Sequence, residues 1–168
     1  GGIDLGTSNT ALARFEPRGN ALEIVPIMQR ISATEVGERL LLPSFLYLPG
    51  AYELPAESTS LPWDSERNYI VGEFARFQGS RVPGRCIVSA KSWLAHRSVD
   101  PSEPMLPWER ASDLQPVSAV AAITRYLEHI VEAWNHRFPQ DSLQGSEVVL
   151  TIPASFDDLA RKLTAGAA

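Results

Sequence analysis

The stretch from Gly2 to Ala13, GIDLGTSNTALA, constrains the fold more than any other part of this chain. Ile3 and Leu5 mark a short strand over Gly2 to Leu5. Thr10 to Glu16 reads as a second strand, in which Leu12 alternates against Ala11 and Ala13. Between them, Gly6-Thr7-Ser8-Asn9 has the small and polar residues of a hairpin tip. Glu16-Pro17-Arg18-Gly19-Asn20 is a second turn, and a third strand follows at Ala21 to Ile27. Three strands joined by two turns predict a β-meander rather than a βαβ unit, which rules out a Rossmann-type opening.

The loop at 6–9 also carries candidate chemistry. Asp4 stands at the end of a strand, so a rigid element holds its carboxylate beside the loop. Gly6 lets the backbone approach a ligand closely and permits positive φ. Thr7, Ser8 and Asn9 offer successive N–H groups and short polar side chains, a concave donor set suited to phosphate oxygens. A carboxylate beside such a cradle commonly serves magnesium, often through water. The same residue types also build an ordinary hairpin turn, and the loop alone does not separate the two.

Further along, Leu40 to Leu48 reads as a strand broken at Pro43, and Tyr69 to Gly72 as a short strand entering a helix near Glu73 to Gln78. Pro49 to Asn68 and Ser98 to Pro116 are long proline-rich polar stretches, of a length that tends to be functional, family-specific or mobile. Residues 29–116 therefore read as a smaller subdomain inserted between residues 1–28 and 117–168. Val117 to Phe138 is the clearest helix: Val117, Val120, Leu127, Val131, Trp134 and Phe138 make one apolar face, with Pro116 before it and Pro139 after it. Glu147 to Ile152 is a nearly continuous apolar strand, the kind buried on both faces of a sheet. Ser155 can cap a following helix, with Asp157 and Asp158 in its first turn.

Composition narrows the function classes. The 168 residues are 44% hydrophobic with a net charge of −5, which argues against a nucleic-acid-binding surface. No apolar run is long enough to span a bilayer, and Gly1 to Asp4 lack the features of a signal peptide. Cys86 is the single cysteine, so no internal disulfide forms, and the expectation is a reducing, cytoplasmic setting. The chain opens within a strand pattern and closes within a helical one, which is expected of a piece of a larger protein.

GIDLGTSNTALA resembles the first phosphate motif of the actin, sugar kinase and heat-shock chaperone superfamily. Other stretches bring the resemblance closer to the DnaK-type chaperones, the heat-shock protein 70 family. Leu42-Pro43-Ser44-Phe45 is similar to the family's PS-aromatic strand, and Ile70 to Ala75 (IVGEFA) to its glycine turn into a helix. Ser89 to Leu94 (SAKSWL) is similar to its AK-containing segment. Val148 to Thr164 (VVLTIPASFDDLARKLT) is similar to its strand–proline–helix motif, although Ser155 and Ala160 replace the usual tyrosine and glutamine. These stretches follow the family's order, and SAKSWL is nearest to divergent bacterial DnaK-like members.

The resemblance implies an α/β fold of the ribonuclease-H-like, actin-like ATPase type: a mixed sheet opening on a meander, helices packed on it, and an inserted α+β subdomain. It implies ATP or ADP with Mg2+ as cofactors. Asp4 would serve the metal through water and would take part in catalysis with Lys91, while Gly6, Thr7, Ser8 and Asn9 bind phosphate. Lys91 would face the γ-phosphate and the attacking water, where an ammonium offsets charge in the transition state. Pro153 and Arg161 would relay nucleotide state to the surface. The implied partners are a J-domain co-chaperone, a nucleotide exchange factor and unfolded polypeptide, with no nucleic acid and no membrane. The second phosphate loop and adenosine pocket would lie beyond Ala168, leaving the isolated chain with little ATPase activity. Alternatives are a sugar kinase of the same fold and a nucleotide-sensing scaffold that barely hydrolyses ATP.

Three other clusters lead elsewhere. Gly79 to Cys86 has P-loop glycine spacing but lacks the lysine and hydroxyl residue that do its chemistry. His129, Glu132 and His136 fit no zinc signature and read as a solvated helix face. Cys86, in an apolar run, reads as buried core.

Overall fold

The computed structural model describes residues 1–16, 18–94, 96 and 98–151. Its chain is mixed α/β. Strand β1 (Gly2–Leu5) pairs antiparallel with β2 (Asn9–Glu16), which pairs antiparallel with β3 (Ala21–Ile24). The expected third strand to Ile27 is split. Pro26 has no N–H to offer a ladder, and beyond it β4 (Ile27–Arg30) leaves to pair with β5 (Val36–Arg39). The long β2 serves two neighbours along one edge: Ala13 to Glu16 take β3, and Asn9 to Ala11 take β6 (Leu41–Pro43).

Strand β7 (Phe45–Tyr47) begins two residues after Pro43 and is the centre of a second sheet, between β8 (Ile70–Val71) and β9 (Cys86–Val88). Helix α1 (Glu73–Arg81) follows β8, and the short α2 (Ala90–Leu94) follows β9. The predicted long helix is α3 (Ala119–Arg137). The Ser118 hydroxyl accepts from the Ala121 amide at 3.0 Å, satisfying one of the donors a helix N-terminus leaves free.

The chain then returns to the first sheet as β10 (Val149–Thr151), parallel to β1 and on its free edge, giving the order β10-β1-β2-β3. Continuous burial was expected here, and the strand alternates instead. Leu150 packs against the core, whereas Val149 is 62% exposed. Ile3, Leu5 and Leu12 fill one face of the sheet with Ile123, Leu127, Ile130 and Trp134 of α3. On the opposite face Phe15, Leu22, Ile24 and Val149 stand exposed among the described residues. The larger core cluster draws on residues from Ile3 to Leu143, while a smaller one gathers Tyr47, Ile70, Phe74, Ala75 and Cys86.

The two proline-rich stretches are fastened down. The Arg67 guanidinium is almost wholly buried, donates to Asp64 (3.0 Å) and Glu132, and lies 3.4 Å from His129 Nδ1. His129 Nε2 lies 2.9 Å from the Met28 carbonyl, which can only accept, so Nε2 carries the proton and Nδ1 accepts from Arg67. Trp63 Nε1 donates to Glu132 at 3.1 Å. The solvated face expected for His129 and Glu132 is therefore corrected: that side of α3 clamps the 63–67 segment. In the second stretch, Arg85 pairs with Asp113, and Trp108 stacks on Trp93 at 6.1 Å between centroids. Cys86 is buried as expected. Gly79 and Cys86 pack one on the other, since a Cβ on Gly79 would lie 2.3 Å from the sulfur.

Candidate functional site

Asp4 sits on the outer face of β1, next to its C-terminal end, and is exposed. Its register partner is Thr151, and the Thr151 hydroxyl donates to Asp4 Oδ1 at 2.6 Å. Strand β10 thereby fixes one carboxylate oxygen and leaves the other to solvent or ligand.

Beyond Leu5 the chain turns through Gly6, Thr7 and Ser8 into β2. Gly6 is required there for space. An added Cβ would lie 2.1 Å from the Asn9 carbonyl oxygen, far inside contact distance. The freedom of positive φ expected for Gly6 is not used, and among the described glycines only Gly72 adopts it. Thr7 and Ser8 are exposed, and their amides make no hydrogen bond to the described residues. These are free donors at a tight turn that begins on a glycine, an arrangement suited to a phosphate oxygen.

Lys91, in the first turn of α2, reaches this loop across a long stretch of sequence. Its ammonium donates to the carbonyl of Leu5, the residue between Asp4 and Gly6. The alternative of a lysine lying over Trp93 in solvent is not adopted: the ring of Trp93 is engaged with Trp108 and His96. Ser89, just before α2, holds φ at 55°, a left-handed conformation that non-glycine residues adopt at some cost. Its carbonyl accepts from the Ser92 amide at 2.9 Å, closing the turn that aims Lys91.

Three of these placements bring the expected residues together: Asp4, the 6–9 loop and Lys91 converge on one end of β1. Pro153 and Arg161, with the Ser155, Asp157 and Asp158 cap, lie outside the described residues. Sequence reasoning did not single out Thr151 or Thr10 for the site, nor Gln29 for the fold around α1. Gln29 is fully buried and caps α1 from β4, accepting from the Glu73 amide at 2.9 Å and donating to the Leu41 carbonyl at 3.0 Å. Gly72 makes room for it, since a Cβ there would lie 2.4 Å from Gln29 Oε1. A lone buried glutamine has no spacing signature, so only tertiary structure identifies its partners.

Among the described residues no three His, Cys, Asp or Glu side chains cluster as a metal cage. A single exposed carboxylate beside free amides fits magnesium that arrives with phosphate oxygens and keeps several waters, and does not fit a dedicated all-protein site. No described helix is long and apolar enough to cross a membrane. No protein-family model matches the chain, and no curated protein matches it.

Proposed function

We propose that this chain is the nucleotide-binding first lobe of an actin-like ATPase of the DnaK-like chaperone type, which binds and hydrolyses ATP. The observation that carries the reading is the convergence of Lys91 on the Leu5 carbonyl, at the root of a loop whose glycine admits no side chain. The sheet order, a meander with a parallel strand added beside β1, is compatible with such a lobe.

In this reading the amides and hydroxyls of Thr7 and Ser8, with Asn9, would receive phosphate oxygens, and Asp4 would serve the metal through water. Magnesium, when bound with the nucleotide, would neutralise charge on the phosphates. Lys91 is already held at the loop by the Leu5 carbonyl, so its positive charge needs no reorganisation before it faces a ligand there. Preorganised charge of this kind acts most strongly where negative charge develops. None of these residues is required to form a covalent bond; positioning and electrostatics carry the reaction. Conformational closure, a J-domain co-chaperone, an exchange factor and unfolded polypeptide belong to the same proposal. So does a cytoplasmic setting.

Single-turnover ATP hydrolysis by the full-length protein and its Lys91→Ala variant tests it. Loss of one preorganised donor is expected to slow hydrolysis by about 100-fold, with nucleotide binding retained. Binding without hydrolysis in both proteins would favour a nucleotide-sensing scaffold. Equal hydrolysis by the two would remove Lys91 from catalysis.

A further inference from the structure

Two carbonyl groups of the 6–9 loop point into the protein, and one residue holds both. The Ser44 hydroxyl donates to the Gly6 carbonyl at 2.9 Å, and the Ser44 amide donates to the Ser8 carbonyl at 2.9 Å. Ser44 lies between β6 and β7, so it is anchored to both sheets. Its hydroxyl oxygen is also 3.1 Å from the hydroxyl of Thr10. A serine has one hydroxyl proton, and a carbonyl can only accept. The proton of Ser44 is therefore spent on Gly6, and Thr10 donates to Ser44. The result is a directional chain, Thr10 to Ser44 to Gly6, between side chains that are 0% and 2% exposed.

The chain has a geometric consequence. In a trans peptide the C=O and the following N–H point in opposite directions. Holding the Gly6 carbonyl inward turns the Thr7 amide outward, and holding the Ser8 carbonyl inward does the same for Asn9. The Lys91 bond to the Leu5 carbonyl acts likewise on the amide of Gly6. We infer that Ser44, backed by Thr10, is the positioning residue of the loop, fixing its peptide planes so that the amides of Thr7 and Asn9 face a phosphate group. This rests on the phosphate-binding reading of the loop, and concerns a residue that would not itself touch the ligand.

A 15N-labelled chain allows both ideas to be tested separately. Backbone relaxation of Thr7, Ser8 and Asn9 is measured without ligand, and their resonances are then titrated with Mg·ATP. In Ser44→Ala the loop amides are expected to gain fast motion relative to those of α3. Affinity for Mg·ATP is expected to fall about tenfold, the effect of losing one buried hydrogen bond. Thr10→Val keeps the bond from Ser44 to Gly6 and should weaken binding only about two- to threefold. Ser44→Cys, with a weak donor of similar size, should recover part of the loss. It also serves, with Thr10→Val, if Ser44→Ala does not fold.

Unchanged loop motion and an affinity within twofold of the parent chain in Ser44→Ala would overturn the positioning role and leave the phosphate reading standing. Loop resonances that ignore Mg·ATP in the unsubstituted chain would overturn the phosphate reading. The ligand-free relaxation would still decide whether Ser44 orders the loop.

Discussion

At Gly6 the space for a side chain is already taken by the Asn9 carbonyl, so Gly6→Ala forces the turn to open. The expected cost is about 1–3 kcal/mol, the usual range for local backbone strain, read as a lower urea midpoint. The Thr7 and Ser8 amide resonances should shift with it, while those of α3 stay in place. Thr151 acts on the other side of the loop, where its hydroxyl holds Asp4 Oδ1. Thr151→Val removes that bond and keeps the β-branched shape. On the proposed reading it should raise the Mg2+ concentration needed for half-maximal ATP hydrolysis by about tenfold, as loss of an orienting partner does at metal sites. Thr151→Ser should restore it; a Mg2+ dependence unchanged in Thr151→Val would mean that Asp4 needs no orienting partner.

At the scale of elements, the clamp between the 63–67 segment and α3 carries a definite pH dependence. Burial first, and then the Arg67 charge, lower the pKa of His129 from 6.5 to about 4. Its neighbours from every side are Arg67, the Met28 carbonyl and the ring of Trp63, with Glu132 on the far side of Arg67. Unfolding restores the ordinary pKa, so between about 4 and 6.5 the unfolded chain binds more protons than the folded one. Stability from this group is complete above 6.5 and falls as pH drops towards 4. His129→Gln should flatten the urea midpoint against pH over that window, relative to the unsubstituted chain. Equal slopes in the two proteins would mean that His129 titrates normally in the fold. Arg67→Ala leaves the buried His129 Nδ1 without its donor, while the Glu132 carboxylate it releases is partly exposed, and should cost about 1–3 kcal/mol by thermal or urea unfolding. The helix itself was legible from its apolar spacing and flanking prolines. The clamp was not, because its polar residues sit 62 to 65 positions apart from Arg67 and look like surface charges along the sequence.

Over the whole molecule, the candidate site is a meeting of distant segments. Leu5 is held by Lys91 and Gly6 by Ser44, while Asp4 is held by Thr151 at the far end of the described chain. The sequence shows the loop and the lysine because their residue types and order are distinctive. Their holders, Ser44, Thr10 and Thr151, are common hydroxyl residues that become informative only through contact. It also follows that the loop's shape depends on the hydrogen bonds from Ser44, Lys91 and Thr151, rather than on the hairpin alone or on core packing as such. Ile130 tests that dependence, since it is 0% exposed in the larger core and touches none of the site's hydrogen bonds. Ile130→Ala should lower global stability by about 2–5 kcal/mol through lost burial and the cavity it leaves. The molecules that remain folded keep the Ser44 and Lys91 bonds, so their Mg·ATP affinity should stay within about twofold, once the folded fraction is accounted for. Urea unfolding and calorimetric titration at low temperature give the two quantities separately. A tenfold loss of affinity in a fully folded Ile130→Ala chain would mean that core packing sets the loop geometry directly, rather than through the hydrogen bonds of Ser44 and Lys91.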